Sequence, residues 1–227
     1  MGLRNSPVVA LACIGGVSTL LYMQRFTMAS YLYVFFALFG LYLLAVLVIF
    51  RKRDHHACLV LIGGFAILFR LIQVVAPPTL SSDLYRYIWD GRVQHAGINP
   101  YRYPPADEAL AALRDEAIFP NINRPQAPTI YPPAAQMLFA LMYGAWPDSI
   151  SGTKVFMLLG DLMTMLLLVR LLRQRNVDAD RILVYAWSPL VVVELAGSGH
   201  LDALMLPFLL GALLALTWGR GPGGTQA

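Results

Sequence analysis

Charged side chains are scarce in this sequence. Asp, Glu, Lys and Arg make up 13% of its 227 residues, whereas hydrophobic residues make up 58%. A soluble domain averages about 25% charged residues. The composition therefore excludes an ordinary soluble protein and predicts an integral membrane protein.

Cysteine is also nearly absent. The only two cysteines, Cys13 and Cys58, lie far apart in apolar stretches. This spacing predicts neither a disulfide framework nor a zinc site. The sequence contains no nucleotide-binding glycine loop and no nucleophile elbow either. We therefore expect no metal, no cofactor and no nucleic-acid partner.

What the sequence does contain is a series of long apolar runs. About 20 apolar residues are needed to cross a membrane as a helix. This length predicts six transmembrane helices, at about 7–23, 29–50, 57–76, 153–172, 182–198 and 202–219. The first run follows Arg4 and also suits a signal peptide. No clear small-residue cleavage site follows it, which favours an uncleaved helix.

A shorter apolar stretch, 134–146, is bracketed by prolines. If it does not cross the membrane, the large loop 77–152 falls outside with five arginines against seven acidic residues. This distribution agrees with the positive-inside rule. It predicts that 134–146 is a helix on the outer membrane surface and that both termini are cytoplasmic.

The predicted fold class is therefore an all-α integral membrane protein with a large outer loop that contains juxtamembrane helices. The organisation is an N-terminal transmembrane hairpin (1–56), a membrane core (57–219) with the outer loop 77–152, and a flexible tail (220–227).

The outer loop is predicted to be ordered, because it is rich in aromatic residues, Ile and Pro, whereas disordered segments lack aromatics. The run "DLYRYIWDGRVQHAG" (83–97) has helical spacing, with Tyr85, Trp89 and Arg92 on one aromatic and basic face. Gly97 and the prolines beyond it end this helix. The acidic stretch "ADEALAALRDEA" predicts a short exposed helix.

Several stretches together resemble a known family. A carboxylate just after a span is followed by "GINPYRYPP", "TIYPPAAQMLFAL", "LLGDLMTMLLLVRLLRQR" and "YAWSPLVVVELAGSGHLDAL". In this order they resemble the GT-C glycosyltransferases, in particular the bacterial polyprenyl-phosphate-mannose-dependent mannosyltransferases, over about residues 57–218. The resemblance implies sugar transfer, with mannose as the expected sugar, from a polyprenyl phosphate to a hydroxyl of a cell-envelope glycan or glycolipid. The reaction would take place on the outer face of the bacterial plasma membrane.

Sugar transfer with inversion needs a base for the acceptor hydroxyl, and a carboxylate in this role contributes about 10²–10⁴-fold. By its resemblance to the family, whose catalytic aspartate lies in the first large outer loop, Asp83 is the predicted base. The alternative is a helix N-cap, because "SSD" before "LYRYIW" is a good capping sequence. One residue could serve both roles.

A phosphate leaving group calls for cationic partners. The predicted phosphate-binding residues are Arg86, Arg92, Arg102 and His200. The residues predicted to bind the acceptor or shape the site are Tyr85, Trp89, Asp90, Tyr101, Tyr131, Asp202 and Glu194. The alternatives are that the arginines pair with acidic residues or lipid headgroups, and that His200 and Asp202 are interfacial polar residues.

The turn "GSGHLD" is expected to face the loop that holds Asp83. Leu201 stands where the resembling enzymes more usually have Asn. Within the spans, Arg70 could pair with Glu194, whereas Asp161 is expected to pair structurally between helices, since a buried charge needs a partner.

Three further readings stay open. Family members usually carry more spans than this sequence, so the chain could be truncated, one half of a split enzyme, or assembled with a second membrane chain. It could instead be a non-catalytic subunit that binds polyprenyl-phosphate lipids. A small transporter is disfavoured, because no inverted repeat is visible.

Overall fold

A computed structural model describes residues 7–24, 28–51 and 58–217, and these are helical with connecting turns and no strand. The α-helices are α1 (Pro7–Tyr22), α2 (Met28–Arg51), α3 (Cys58–Val75), α4 (Asp83–His95), α5 (Pro133–Ala145), α6 (Ile150–Gln174), α7 (Leu183–Ala186), α8 (Pro189–Val191) and α9 (Asp202–Thr217). Short 3₁₀ helices cover Glu108–Leu113, Phe119–Asn121 and Ala179–Ile182, and a π-helix covers Val192–Gly197. The all-α prediction is confirmed. The predicted tail and Arg4 lie outside the described residues.

Three of the described helices are long and apolar enough to cross a membrane, namely Ser30–Arg51, Cys58–Val75 and Ile150–Gln174. A fourth candidate is the pair Pro189–Gly197 and Asp202–Leu216, which is bent by 116°. Helix α1 is apolar but has only 16 residues, fewer than a comfortable span. Over the described ranges, the prediction of six continuous spans is therefore wrong, although the membrane character is retained.

The predicted fifth span, 182–198, is not one helix. Helix α7 has four residues and ends before Ser188, which takes an extended conformation ahead of Pro189. Proline lacks an N–H donor and disfavours the α conformation in the residue before it. Beyond Pro189 the chain soon widens into the π-helix. Hydropathy alone could not reveal this break, because the residues on both sides of it are apolar.

The helices pack into two connected regions. In the first, α1 lies against α2 and α3, and α6 lies against α9. In the second, α4 packs along α5, and the 3₁₀ helices of the loop 77–152 cover α4. Gly91 permits the close approach of α4 and α5, because a Cβ there would lie 2.6 Å from the Phe139 carbonyl oxygen.

The sequence correctly predicts α4 and the helix at 134–146, which is α5. The acidic stretch forms the 3₁₀ helix Glu108–Leu113, and the Asp107 side chain caps it by accepting a hydrogen bond from the Ala109 N–H. The position of α5 on the membrane surface stays a prediction.

A buried ion pair joins three segments of the membrane core. Arg70 Nε on α3 lies 2.6 Å from Asp161 Oδ2 on α6, and neither side chain is exposed. Asp161 Oδ1 accepts a hydrogen bond from the Tyr185 hydroxyl at 2.7 Å, and Arg70 Nη1 donates to the Ala186 carbonyl at 2.7 Å. The structural role expected for Asp161 is confirmed. The alternative Arg70–Glu194 pair is wrong, because Glu194 pairs with His200 instead.

We predict that Asp161→Ala destabilises the fold by about 3–5 kcal/mol, because it leaves the Arg70 charge buried without a countercharge. Thermal unfolding in detergent would measure the loss. The double variant Arg70→Met/Asp161→Leu should recover most of it, since it removes both charges. Glu108→Ala is the control, because it breaks an ion pair whose carboxylate is exposed. Equal losses in Asp161→Ala and Glu108→Ala would contradict the prediction.

Candidate active site

Asp83 begins α4 beside the end of the third helix. Ser82 holds the N-cap position without a side-chain capping bond, and the Asp83 N–H donates to Ser81 Oγ. The half-buried Asp83 carboxylate accepts a hydrogen bond from the Asn123 side-chain amide at 2.5 Å. The alternative that Asp83 is the N-cap is therefore wrong. Its role as a base stays a prediction.

Two tyrosine hydroxyls lie near Asp83. Burial raises the pKa of Tyr87, and the neighbouring Tyr131 and Asp83 raise it further. Burial also raises the pKa of Tyr131, with the negative charge of Asp83 as the next cause. The two rings pack edge to face at 5.2 Å. The Tyr101 hydroxyl donates to the Tyr131 carbonyl at 2.6 Å and so fixes the backbone behind this pair.

Arg86 is buried one turn beyond Asp83 on α4, and two of its three guanidinium nitrogens form hydrogen bonds. Its Nε donates to Asp90 Oδ1 at 2.9 Å, and its Nη1 donates to the Ala127 carbonyl at 3.1 Å. Its Nη2 is buried without a hydrogen-bond partner among the described residues. A buried donor without a partner costs about 1–3 kcal/mol, so Nη2 marks a place where a ligand oxygen would be stabilised.

Asp90 holds Arg86 in this position. Besides Arg86, the buried Asp90 carboxylate accepts hydrogen bonds from Thr129 Oγ1 at 2.6 Å and from Gln136 Nε2 at 2.7 Å. The alternative in which an arginine pairs with Asp90 is thus confirmed for Arg86. The Asp90 network also ties α4 to α5, which carries Gln136.

Arg92 has other partners. Its guanidinium donates to Asp148 at 2.6 Å, to Asp115 at 2.7 Å and to the Leu113 carbonyl at 2.8 Å, and it lies 5.6 Å from the Trp89 ring. Trp89 is itself buried. The aromatic and basic face predicted on α4 therefore packs under the loop. These contacts give Arg92 a structural environment and do not bring it to Asp83.

Three other predicted residues lie at the edge of this region. Arg102 is exposed and stacks on Tyr103, with its Cζ 5.1 Å from the ring centre. Tyr85 is half-buried and packs against the hydrophobic cluster around α4. Asp202 is exposed at the first residue of α9. Among the residues that the structure describes, no hydrogen bond or ion pair joins any of the three to Asp83, and their roles stay predictions.

The turn before α9 packs against the start of α4. Gly199 has a φ of +71°, and a Cβ there would lie 2.7 Å from Leu84 Cδ1. Only glycine meets both conditions without strain. Leu201 packs in the same hydrophobic cluster as Leu84 and Tyr87. The expectation that this turn faces the loop that holds Asp83 is therefore confirmed.

His200 lies in this turn, and its two ring nitrogens differ in their surroundings. Its Nδ1 lies 3.3 Å from Glu194 Oε2, while its Nε2 is buried without a hydrogen-bond partner among the described residues. Glu194 thus holds the imidazole ring from one side, and the other nitrogen is left for a ligand. Asp83 and Arg86 lie three residues apart in the first turn of α4, and His200 directly follows Gly199, which packs on Leu84.

Comparison with models of protein families shows the family to which the chain belongs. The family described as alpha-(1->6)-mannopyranosyltransferase, N-terminal domain, matches residues 13–226. The chain belongs to this family. Comparisons with curated proteins and with solved structures found no match. The family confirms the resemblance drawn from the sequence and identifies a mannosyltransferase domain.

Sequence reasoning missed four polar residues around the candidate site, namely Tyr87, Asn123, Gln136 and Lys154. Lys154 on α6 is fully buried and donates to the Gln73 and Ala76 carbonyls, at 3.1 and 2.6 Å, at the end of α3. Its Cγ would lie 3.7 Å from a Cβ at Gly199. A lysine at the start of an apolar run was the signal that could have identified it.

Within the ranges that the structure covers, no group of three or more His, Cys, Asp and Glu side chains could hold a metal ion. The expectation that the mannosyltransferase uses no metal stays a prediction. The site instead offers one half-buried carboxylate and two nitrogens without partners.

We predict a pH-dependent contribution from the Arg92 network. The hydrogen bond from the Arg92 side chain is the main cause that lowers the pKa of Asp115 from 3.8 to about 2. A lowered carboxyl pKa stabilises the fold above the unfolded pKa, and this stability is lost as the pH falls through the folded value. Asp115→Asn should therefore lower the thermal stability at neutral pH. It should also make the loss of thermal stability between about pH 5 and pH 2 smaller than in the unaltered chain.

The neighbouring Glu116→Gln is the control for this prediction, because Glu116 is exposed in the same loop. Melting curves across the acid range would show the difference. The same pH profile in Asp115→Asn and in the unaltered chain would contradict it.

Proposed function

We propose that this mannosyltransferase transfers mannose, with inversion, from a polyprenyl phosphate to the 6-hydroxyl of a mannose in a cell-envelope glycan or glycolipid. We place the reaction on the outer face of the bacterial plasma membrane. The observations that carry the proposal are the half-buried Asp83 carboxylate at the start of α4 and the unpartnered nitrogens Arg86 Nη2 and His200 Nε2. A base and two phosphate donors are what this reaction requires.

Asp83 acts as the general base in this mechanism. The acceptor oxygen attacks the anomeric carbon and forms the new C–O bond while its proton passes to Asp83. The C–O bond to the phosphate breaks, and polyprenyl phosphate leaves with the electron pair. Asn123 holds Oδ1 of the carboxylate, so Oδ2 takes the proton. Inversion yields an α linkage, as the family description states, only from a β-linked donor.

The leaving phosphate is bound by Arg86 and His200. Negative charge grows on its oxygens as the bond breaks, and preorganised donors stabilise that charge in the transition state. Arg86 Nη2 and the Nε2–H of His200 in its imidazolium form supply these donors. Asp90 fixes the guanidinium, and Glu194 fixes the imidazole ring, so little reorganisation is needed during the reaction. Tyr87 and Tyr131 line the space beside Asp83 and would contact the sugar.

The other predicted residues have supporting places in this proposal. Arg92 and Trp89 brace the loop that carries Asn123 and Tyr131. Arg102, Tyr101, Tyr85 and Asp202 would meet the acceptor glycan. A second membrane chain could complete the site, and the assay below includes that outcome.

We predict that Asp83→Asn lowers kcat for mannose transfer by about 10²–10⁴-fold, because the amide cannot take the proton. Donor affinity should be unchanged, since the phosphate donors remain. The measurement uses the chain in lipid nanodiscs with radiolabelled polyprenyl-phosphate mannose and a mannan acceptor. Glu108→Gln is the matched control, because its side chain is 90% exposed in the same loop.

Two results would contradict this prediction. Full activity in Asp83→Asn would remove Asp83 as the base. Donor binding without transfer by the unaltered chain would favour the alternative, a non-catalytic lipid-binding subunit that needs a partner chain.

We also predict that Arg86→Lys lowers kcat/KM by about 10- to 150-fold, the value of one hydrogen bond to a charged group. Lysine keeps the charge beside Asp90, but it has no second nitrogen in the position of Nη2. Arg114→Lys is the control, because Arg114 stacks on Phe119 in the same loop and donates to backbone carbonyls. Equal losses in the two variants would refute a specific role for Nη2.

A further inference from the structure

A shallow groove of about 520 Å³ runs along the last turns of α6. Its described lining consists of Leu166, Val169, Arg170, Arg173 and Gln174. These residues follow one another at helical i, i+3 and i+4 intervals, so they share one face of the helix. The groove therefore joins an apolar part to a pair of guanidinium groups.

The groove lies at the end of α6 that is remote from the candidate active site. Lys154, near the start of α6, donates to the carbonyls at the end of α3, whereas Arg173 lies in the last turn of α6. Arg173 is about 16 Å along the helix axis from the midpoint of α6 near Leu162. One leaflet contributes about 15 Å of hydrocarbon to a membrane. When α6 is centred in the membrane, the Arg173 guanidinium therefore lies at the depth of the lipid phosphates.

An exposed apolar stripe leads into the groove from the middle of α6. Leu159 is 55% exposed, Met163 is 48% exposed and Leu166 is 66% exposed. The next residue on this face is Arg170, since the helical i, i+4 and i+3 intervals continue. Hydrocarbon followed by a cationic pair matches the order of groups in a phospholipid, whose acyl chains end at a phosphate.

The charge at this end of the bundle favours an anion. The end of α2 lies here too, because Arg181 stacks on Phe50 with its Cζ 4.9 Å from the ring centre. The described charged residues at this end are five arginines and two aspartates, namely Arg51, Arg170, Arg173, Arg175, Arg181, Asp178 and Asp180. Neither aspartate belongs to the described lining of the groove. Asp178 caps the 3₁₀ helix Ala179–Ile182, and Asp180 is buried.

We propose that this groove binds one anionic diacyl phospholipid. The phosphate lies between Arg170 and Arg173, whose planar guanidinium groups suit phosphate oxygens, and one acyl chain lies along Leu166 and Met163. A headgroup without a cation, as in phosphatidylglycerol, fits better than a choline headgroup, which would bring a second positive charge to the arginines. This lipid is a bound component of the bundle and not a substrate, so the inference is independent of the proposed function.

The test is native mass spectrometry of the delipidated full chain in detergent, titrated with phosphatidylglycerol and with phosphatidylcholine of the same acyl chains. One saturable phosphatidylglycerol adduct should form, and phosphatidylcholine should bind more weakly. Arg173→Gln should weaken phosphatidylglycerol binding about fivefold, the contribution of one basic residue beside anionic headgroups.

Arg175→Gln is the matched control and should leave the affinity unchanged. Arg175 is exposed at the same end of α6, carries the same charge and is absent from the described lining of the groove. Equal melting temperatures of the two variants and the unaltered chain in phosphatidylcholine nanodiscs would show that all three fold.

Four other results would overturn the inference and leave the proposed function untouched. Equal weakening by Arg173→Gln and Arg175→Gln would show only a diffuse attraction to the basic end of the bundle. Equal affinity for the two lipids would show an apolar surface without a phosphate site. Displacement of the lipid by an equal concentration of inorganic phosphate would show an anion site to which the acyl chain contributes nothing. The absence of a saturable adduct would remove the site altogether.

Discussion

The arrangement of the membrane core depends on satisfying backbone carbonyls where helices end or break in an apolar environment. No water is available there, so an unpaired carbonyl costs several kcal/mol. Two cationic side chains donate hydrogen bonds to such carbonyls. Arg70 donates to the Ala186 carbonyl beside the helix break. Lys154 donates to the Gln73 and Ala76 carbonyls at the end of α3. The Trp187 indole adds a bond to the Ile62 carbonyl. These bonds hold the broken helix and thus the turn that it carries.

Local patterns predicted the elements but not how they face one another. Hydropathy and proline placement were enough for the all-α fold, α4 and α5, since each depends on neighbouring residues. Helical spacing also put Trp89 and Arg92 on one face of α4, but it could not tell that this face is covered by the loop through Phe119 and Asp115. The carbonyl partners of Lys154 lie about 80 positions away and carry no side-chain signature, so no sequence pattern indicates them.

The two buried arginines of α4 differ because of their countercharges. Arg92 faces two carboxylates, Asp115 and Asp148, so its charge is more than compensated. Among the described residues, Arg86 forms an ion pair with one carboxylate, Asp90, whose Oδ2 accepts hydrogen bonds from Thr129 and Gln136. Six residues along a helix turn the side chain by about 240°, which separates the two environments. The positive charge is therefore less compensated at Arg86, where an anionic substrate group would be attracted.

The turn before α9 explains how the site tolerates a departure from the resembling enzymes. Leu201 stands where Asn is more usual, and its side chain is buried in the hydrophobic cluster around α4. Gly199 and His200 are different, because one needs a positive φ next to Leu84 and the other presents a ring nitrogen. The backbone conformation of the turn therefore constrains position 199, and the free ring nitrogen constrains position 200. Position 201 is constrained only by its packing in the hydrophobic cluster.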